Sequence, residues 1–151
     1  MRDLPRIKAA FDWLTQSSEA AIEEALGRGD AEAARRLKDS RDMLERGVFV
    51  LLFGQFEQEV SRVFETARDR RASNPDWRMR RGWDSPALSG RRLPFETRLA
   101  LVLDRRRPIY GAVRRAYALR NHLAHGGTAE PVGSIEQLVA DLYAWAAALE
   151  G

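Results

Sequence analysis

The sequence predicts an all-α protein, a helical bundle of about five helices. Apolar residues recur three and four positions apart through most of the chain, the spacing that lines up one side of a helix. No stretch shows the period-two alternation of a half-buried strand. Glycine and proline punctuate the periodic stretches where helices would end.

The first stretch carries Ile7, Phe11, Leu14, Ile22 and Leu26, and Gly27-Arg28-Gly29 stops it. Asp30 has the short acceptor side chain that suits an N-cap. From Ala31 to about Arg71 there is no proline, and Leu37, Leu44, Val48, Leu51, Leu52, Phe56, Val60, Phe64 and Ala67 form a stripe. This fits one long helix or two stacked segments meeting near Gly47 or Gly54. Within it, Val48 to Phe53 is apolar on every side, so it is expected to be covered by the chain's own core and by a second subunit.

Residues 72–93 read as a basic loop holding one short helical turn, with Asn74-Pro75, Gly82, Asp84-Ser85-Pro86 and Ser89-Gly90 as turn signals. Arg78, Arg80, Arg81, Arg91 and Arg92 lie there with Trp77 and Trp83. Two readings fit the tryptophans: lids folded over the core, or platforms on which bases stack between phosphate-binding arginines. Pro94 then opens a short helix with Phe95, Leu99, Val102 and Leu103 inward, ended by Arg105-Arg106-Arg107-Pro108. Pro108 opens the next, whose buried face is expected to be Tyr110, Val113, Tyr117 and Leu119 to Leu123, and Gly126-Gly127 ends it. Ser134-Ile135-Glu136-Gln137 matches a capping box before a last helix with Leu138, Leu142, Trp145 and Leu149 inward.

At 151 residues, 44% hydrophobic and 31% charged, the chain fits a single domain spanning 1–151 with a core of its own. It has no cysteine, which removes disulfides, thiolate nucleophiles and cysteine-bound zinc. No apolar signal region leads the chain, and its longest apolar run is far too short to span a bilayer. The expectation is a cytoplasmic protein with no membrane partner. Net charge is +3 with a pI of about 9.8, and every basic residue but Lys8 and Lys38 is arginine. Arginine forks suit phosphate, although genomic base composition produces the same bias.

Both histidines fall in one stretch, Arg120-Asn121-His122-Leu123-Ala124-His125-Gly126-Gly127. Histidine is the side chain whose ordinary pKa suits proton exchange near neutrality, so acid–base chemistry of that kind is confined to this place. Arg120 adds a fixed cation and Asn121 a neutral donor and acceptor.

The string Arg120-Asn121-x-x-x-His125, at the end of a penultimate helix, resembles the signature of the HEPN superfamily: Arg, four to six residues, then His, often with Asn directly after the Arg. Phe49 to Phe64 also looks like the family's upstream helix, especially in its ribonuclease and toxin branch. The resemblance covers roughly residues 45 to 150; the N-terminal helix, 1–29, is only loosely matched. It implies a metal-independent endoribonuclease, of toxin or defence type, that works as a homodimer with two motifs facing each other. Arg120, Asn121 and His125 would be catalytic. Such proteins are often held by an antitoxin of nucleotidyltransferase type, which the resemblance offers as a further partner. The alternative is a noncatalytic HEPN-like dimer that binds RNA or a nucleotide, or scaffolds a protein.

RNA carries its own nucleophile, so cleavage needs a base for the 2′-hydroxyl, an acid for the leaving oxygen and a cation on the phosphate. One His125 and its symmetry mate could supply base and acid, and Arg120 the cation. Asn121 and His125 share a helix side one turn apart, whereas Arg120 points aside. His122 faces elsewhere, with orienting His125, touching RNA, packing or no chemistry all open to it. Glu57, on the upstream helix, is a candidate to pair with Arg120, against an ordinary solvated glutamate. His122 and His125 at i, i+3 lack an evident third ligand, so neither metal nor cofactor is expected. Arg78, Arg80, Arg81, Arg91 and Arg92 are the candidates to bind RNA.

Overall fold

The computed structural model describes residues 1–85, 88, 93–127 and 132–150. Among these residues six helices follow one another: α1 (Leu4–Gly27), α2 (Ala31–Ala72), α3 (Trp77–Arg80), α4 (Phe95–Val102), α5 (Pro108–Ala124) and α6 (Ile135–Ala147). No strand occurs among the described residues. The sixth helix beyond the expected five is α3, the single turn inside the basic segment.

The 42 residues of α2 run without a break through Gly47 and Gly54, so the long stripe is one helix, ~63 Å at 1.5 Å per residue. A glycine in a helix interior costs about 1 kcal/mol relative to alanine. Here the cost is offset by the fully covered neighbours Val48, Phe49, Leu52, Phe53 and Phe56. Every other helix packs on α2. α1 lies antiparallel to it, since the Asp3 amide donates to Gln55 Oε1 at 3.3 Å near one end and Glu19 pairs with Arg41 at 3.7 Å further along. α5 runs alongside in the same direction, with Tyr117 beside Phe53 and Arg120 beside Glu57.

Phe53 is the hub of the core. Its ring neighbours Phe49, Phe56, Phe95 and Tyr117, and Phe56 in turn meets Trp145 edge-on with centroids 5.7 Å apart. Phe95, Leu99, Val102 and Leu103 are all buried, as are Leu138, Leu142 and Trp145. The helix starts follow local chemistry. Asp30 accepts from the Ala33 amide at 2.9 Å, and Ser134 Oγ accepts from the Gln137 amide at 3.3 Å. Only half of the expected capping box forms there, because the Gln137 side chain donates to Asp141 at 2.8 Å instead of turning back.

Three expected core positions face solvent: Leu14 (39% exposed), Leu26 (52%) and Leu51 (58%). Leu4 and Ala25 bury in α1 instead. Leu51 is also where the all-round apolar run divides. The chain's own helices already cover Val48, Phe49, Leu52 and Phe53, so a second subunit has only the Val50–Leu51 side of this run left to meet. In α5, Val113 alone is fully buried; Tyr110, Tyr117, Leu119 and Leu123 are half covered, because this helix lies at the edge of the bundle. No helix among the described residues is long and apolar enough to cross a membrane.

Candidate functional site

The end of α5 is shaped by its backbone. His125 is the C-cap, and Gly126 follows at φ +78°, the left-handed conformation that glycine adopts without a Cβ penalty. The Gly127 amide donates back to the His122 carbonyl at 3.0 Å and the Gly126 amide to the Leu123 carbonyl at 3.1 Å. These two bonds are the paired closure of a Schellman motif, and they use carbonyls that the helix end would otherwise leave unsatisfied. A Cβ on Gly127 would lie 2.3 Å from His122 Nε2, so the His122 imidazole is folded over this glycine. His122 therefore packs on the turn.

His125 is exposed at the tip, and among the described residues its imidazole has no hydrogen-bond partner. Arg120 turns the other way, inward to α2. Its Nη2 lies 3.0 Å from Glu57 Oε2, and its Nη1 donates to Asn121 Oδ1 at 2.9 Å. The proposed pairing of Arg120 with Glu57 thus exists, across 63 residues of sequence, and Asn121 braces the same guanidinium.

Sequence reasoning missed Arg98 and Ser61. Arg98 reaches from α4 to donate to Ser61 Oγ at 2.9 Å, and Ser61 donates its own proton to the Glu57 carbonyl at 2.8 Å. The charge of Arg98 also bears on the Glu57 carboxyl. Burial pushes that carboxyl above its ordinary range, more strongly than Arg120 and Arg98 pull it down. Two cations from α4 and α5 thus converge on one weakened anion from α2. The Nε of each arginine is buried without an acceptor among the described residues. Nothing in the local sequence marks Arg98, which reads as a solvated position on a short amphipathic helix.

The basic segment is elsewhere. Trp83 packs against the core under the Arg71 guanidinium, 4.4 Å from its ring centroid. Arg71 is ~21 Å along α2 from Glu57. The two tryptophan readings divide here, because Trp83 is a lid whereas Trp77 is 59% exposed. Arg80 is engaged in shaping its own segment: it donates to the Asn74 carbonyl at 3.0 Å, sits 3.8 Å from Asp84 and lies over Trp77. Arg78 and Arg81 are exposed and without an ion pair among the described residues. Arg91 and Arg92 lie outside the described residues.

Compared with family models, with curated proteins and with solved structures, the chain matches none of them.

Proposed function

We propose that this chain is a HEPN-like, metal-independent endoribonuclease of toxin or defence type. The observation that carries the reading is the arrangement at the end of α5. An exposed histidine whose imidazole has no partner among the described residues sits one helical turn beyond an arginine–asparagine pair anchored on a half-buried glutamate. The excess positive charge of Arg120 and Arg98 over Glu57 suits a phosphate oxygen.

In the proposed reaction one His125 takes the 2′-hydroxyl proton as the 2′-oxygen attacks phosphorus. The bond from phosphorus to the 5′-oxygen breaks, and a protonated His125 from a second copy of the chain gives that oxygen its proton. Arg120 and Asn121 position the phosphate. The products are a 2′,3′-cyclic phosphate and a 5′-hydroxyl, with no redox change. The second copy would meet α2 along its outer side, where Met43, Gly47, Leu51 and Gly54 succeed one another at steps of four, four and three. Met43 and Leu51 are exposed there, and neither glycine would bring a Cβ within 4 Å of another atom. An antitoxin of nucleotidyltransferase type and a cytoplasmic site of action belong to the same proposal.

The test is incubation of purified protein with defined RNA in EDTA, followed by end-group analysis. Cyclic-phosphate ends should appear, and His125→Ala should lower the rate by at least about 100-fold, the usual contribution of acid–base catalysis. Cleavage that is indifferent to His125→Ala overturns the mechanism. A second reading, a noncatalytic RNA- or nucleotide-binding module or protein scaffold, is favoured by one observation. Both ends of the Arg120 guanidinium are already occupied by Glu57 and Asn121. RNA binding without any cleavage would select it.

A further inference from the structure

Four arginines gather where α5 begins. Arg105, Arg107, Arg114 and Arg115 line an open cavity of about 510 Å³ together with Pro108, Tyr110, Gly111 and Ala118. Arg114 is bound to Glu96 at 2.7 Å. Among the described residues Arg105, Arg107 and Arg115 have no carboxylate partner. The Arg115 guanidinium lies back along α5, with Nη1 3.6 Å from where a Cβ on Gly111 would stand, an ordinary contact distance. Tyr110 contributes a half-exposed aromatic face beside these charges.

This cavity shares a helix side with the motif. Gly111, Arg114, Ala118, Asn121 and His125 succeed one another along α5 at steps of three, four, three and four, which places them in one row. Small residues at 111 and 118 keep the row low between the arginines and the histidine. From Arg114 to His125 the axis advances ~16 Å, the length of about five nucleotides stacked at 3.4 Å. The segment carrying Arg78 and Arg81 follows the C-terminal end of α2 and contributes no residue to this row.

We infer that the arginine cavity at the start of α5 holds phosphates of single-stranded RNA, with Tyr110 as a stacking face, and that the strand runs from there along α5 to His125. The inference rests on the RNA-directed reading above, deepens it by locating the strand, and moves RNA binding away from the 72–93 segment. An arginine cluster beside an aromatic ring is the combination that grips single strands with little regard to sequence.

The test measures binding, so that it stands apart from cleavage. A fluorescein-labelled 2′-O-methyl oligo-uridine of about twelve nucleotides, which the proposed chemistry cannot cut, is titrated with the intact protein at several salt concentrations. Replacing Arg105, Arg107 and Arg115 together by glutamine should weaken binding at least about tenfold and reduce the salt slope by about 2, at ~0.7 per lost single-strand phosphate contact. Arg78→Gln with Arg81→Gln should change neither. Circular dichroism checks that the triple variant folds; if it does not, Arg107→Gln and Arg115→Gln alone should each weaken binding about threefold. Unchanged affinity and slope in the cavity variants overturn the inference. So does duplex DNA of the same length that binds as tightly and loses as much. Salt-dependent binding through these arginines without cleavage of ordinary RNA would retain the inference and overturn the nuclease reading. Cleavage indifferent to them would do the reverse.

Discussion

The guanidinium of Arg120 is asked to do two things, because it holds α5 to α2 through Glu57 and it is the cation proposed to meet a phosphate. Removing it therefore does more than remove charge. Arg120→Ala leaves the half-buried Glu57 without its nearest partner, and we expect a loss of about 1–3 kcal/mol in urea unfolding besides any loss of activity. His125→Ala, at an exposed tip with no partner among the described residues, should leave stability within about 0.5 kcal/mol. A stability change of similar size in both variants would contradict the inward and outward orientations of these two side chains. Glu57 makes its own pH signature. Its carboxyl titrates above the ordinary glutamate value of about 4.3, so between that value and the raised one the folded chain holds a proton that the unfolded chain has released. Stability from this group is fully present below the ordinary value and falls as pH rises through the raised one. Urea unfolding across that window should show the decline in the native chain, and Glu57→Gln should lack it.

α5 is a helix whose two ends have different work. Its start has no side-chain cap and no acidic residue in the first turn, only Pro108 and the arginines around it. Its end is closed by a left-handed glycine. Gly126→Ala must hold an alanine at positive φ, and a cost of about 1 kcal/mol is expected in chemical denaturation. An alanine there that proved neutral would mean that the closing turn does not persist in solution. At α2, Asp30→Ala removes the acceptor of the Ala33 amide and should cost about 1 kcal/mol in the same assay.

In the molecule as a whole, stability is concentrated around one long helix. Phe53→Ala would empty the meeting point of four aromatic neighbours, and a loss of about 3–5 kcal/mol is expected, a large share of the roughly 5–15 kcal/mol that natural domains have. The outer side of the same helix bears on the proposed pairing of two copies. Leu51→Glu places a charge where Leu51 is now 58% exposed, so a monomer should fold as before. If two copies pair along this side, the variant should be monomeric by light scattering at concentrations where the native chain is a dimer. Dimerisation that is untouched by Leu51→Glu would place the contact elsewhere.

The helices, their order and most of their ends are legible in the residues, because helix formation and capping depend on spacing and on neighbours within a turn. Asp30, Ser134 and Gly126 act on amides and carbonyls a few positions away, and Pro108 sets its own backbone angle at a helix start. The Arg120-to-His125 string is equally local. What packing settled lies between helices. The apolar turn from Val48 to Phe53 is symmetric as a string, and only the placement of α1, α4, α5 and α6 around α2 left Leu51 outside and Phe53 at the centre. Glu57 and Arg120 are 63 residues apart, and Arg98 joins them through Ser61. No periodicity encodes that meeting, because an ion pair across helices is set by how their faces are rotated against each other. The same rotation turned Arg120 inward and left His125 facing out, on the exposed side of α5 with the arginine cavity at its other end.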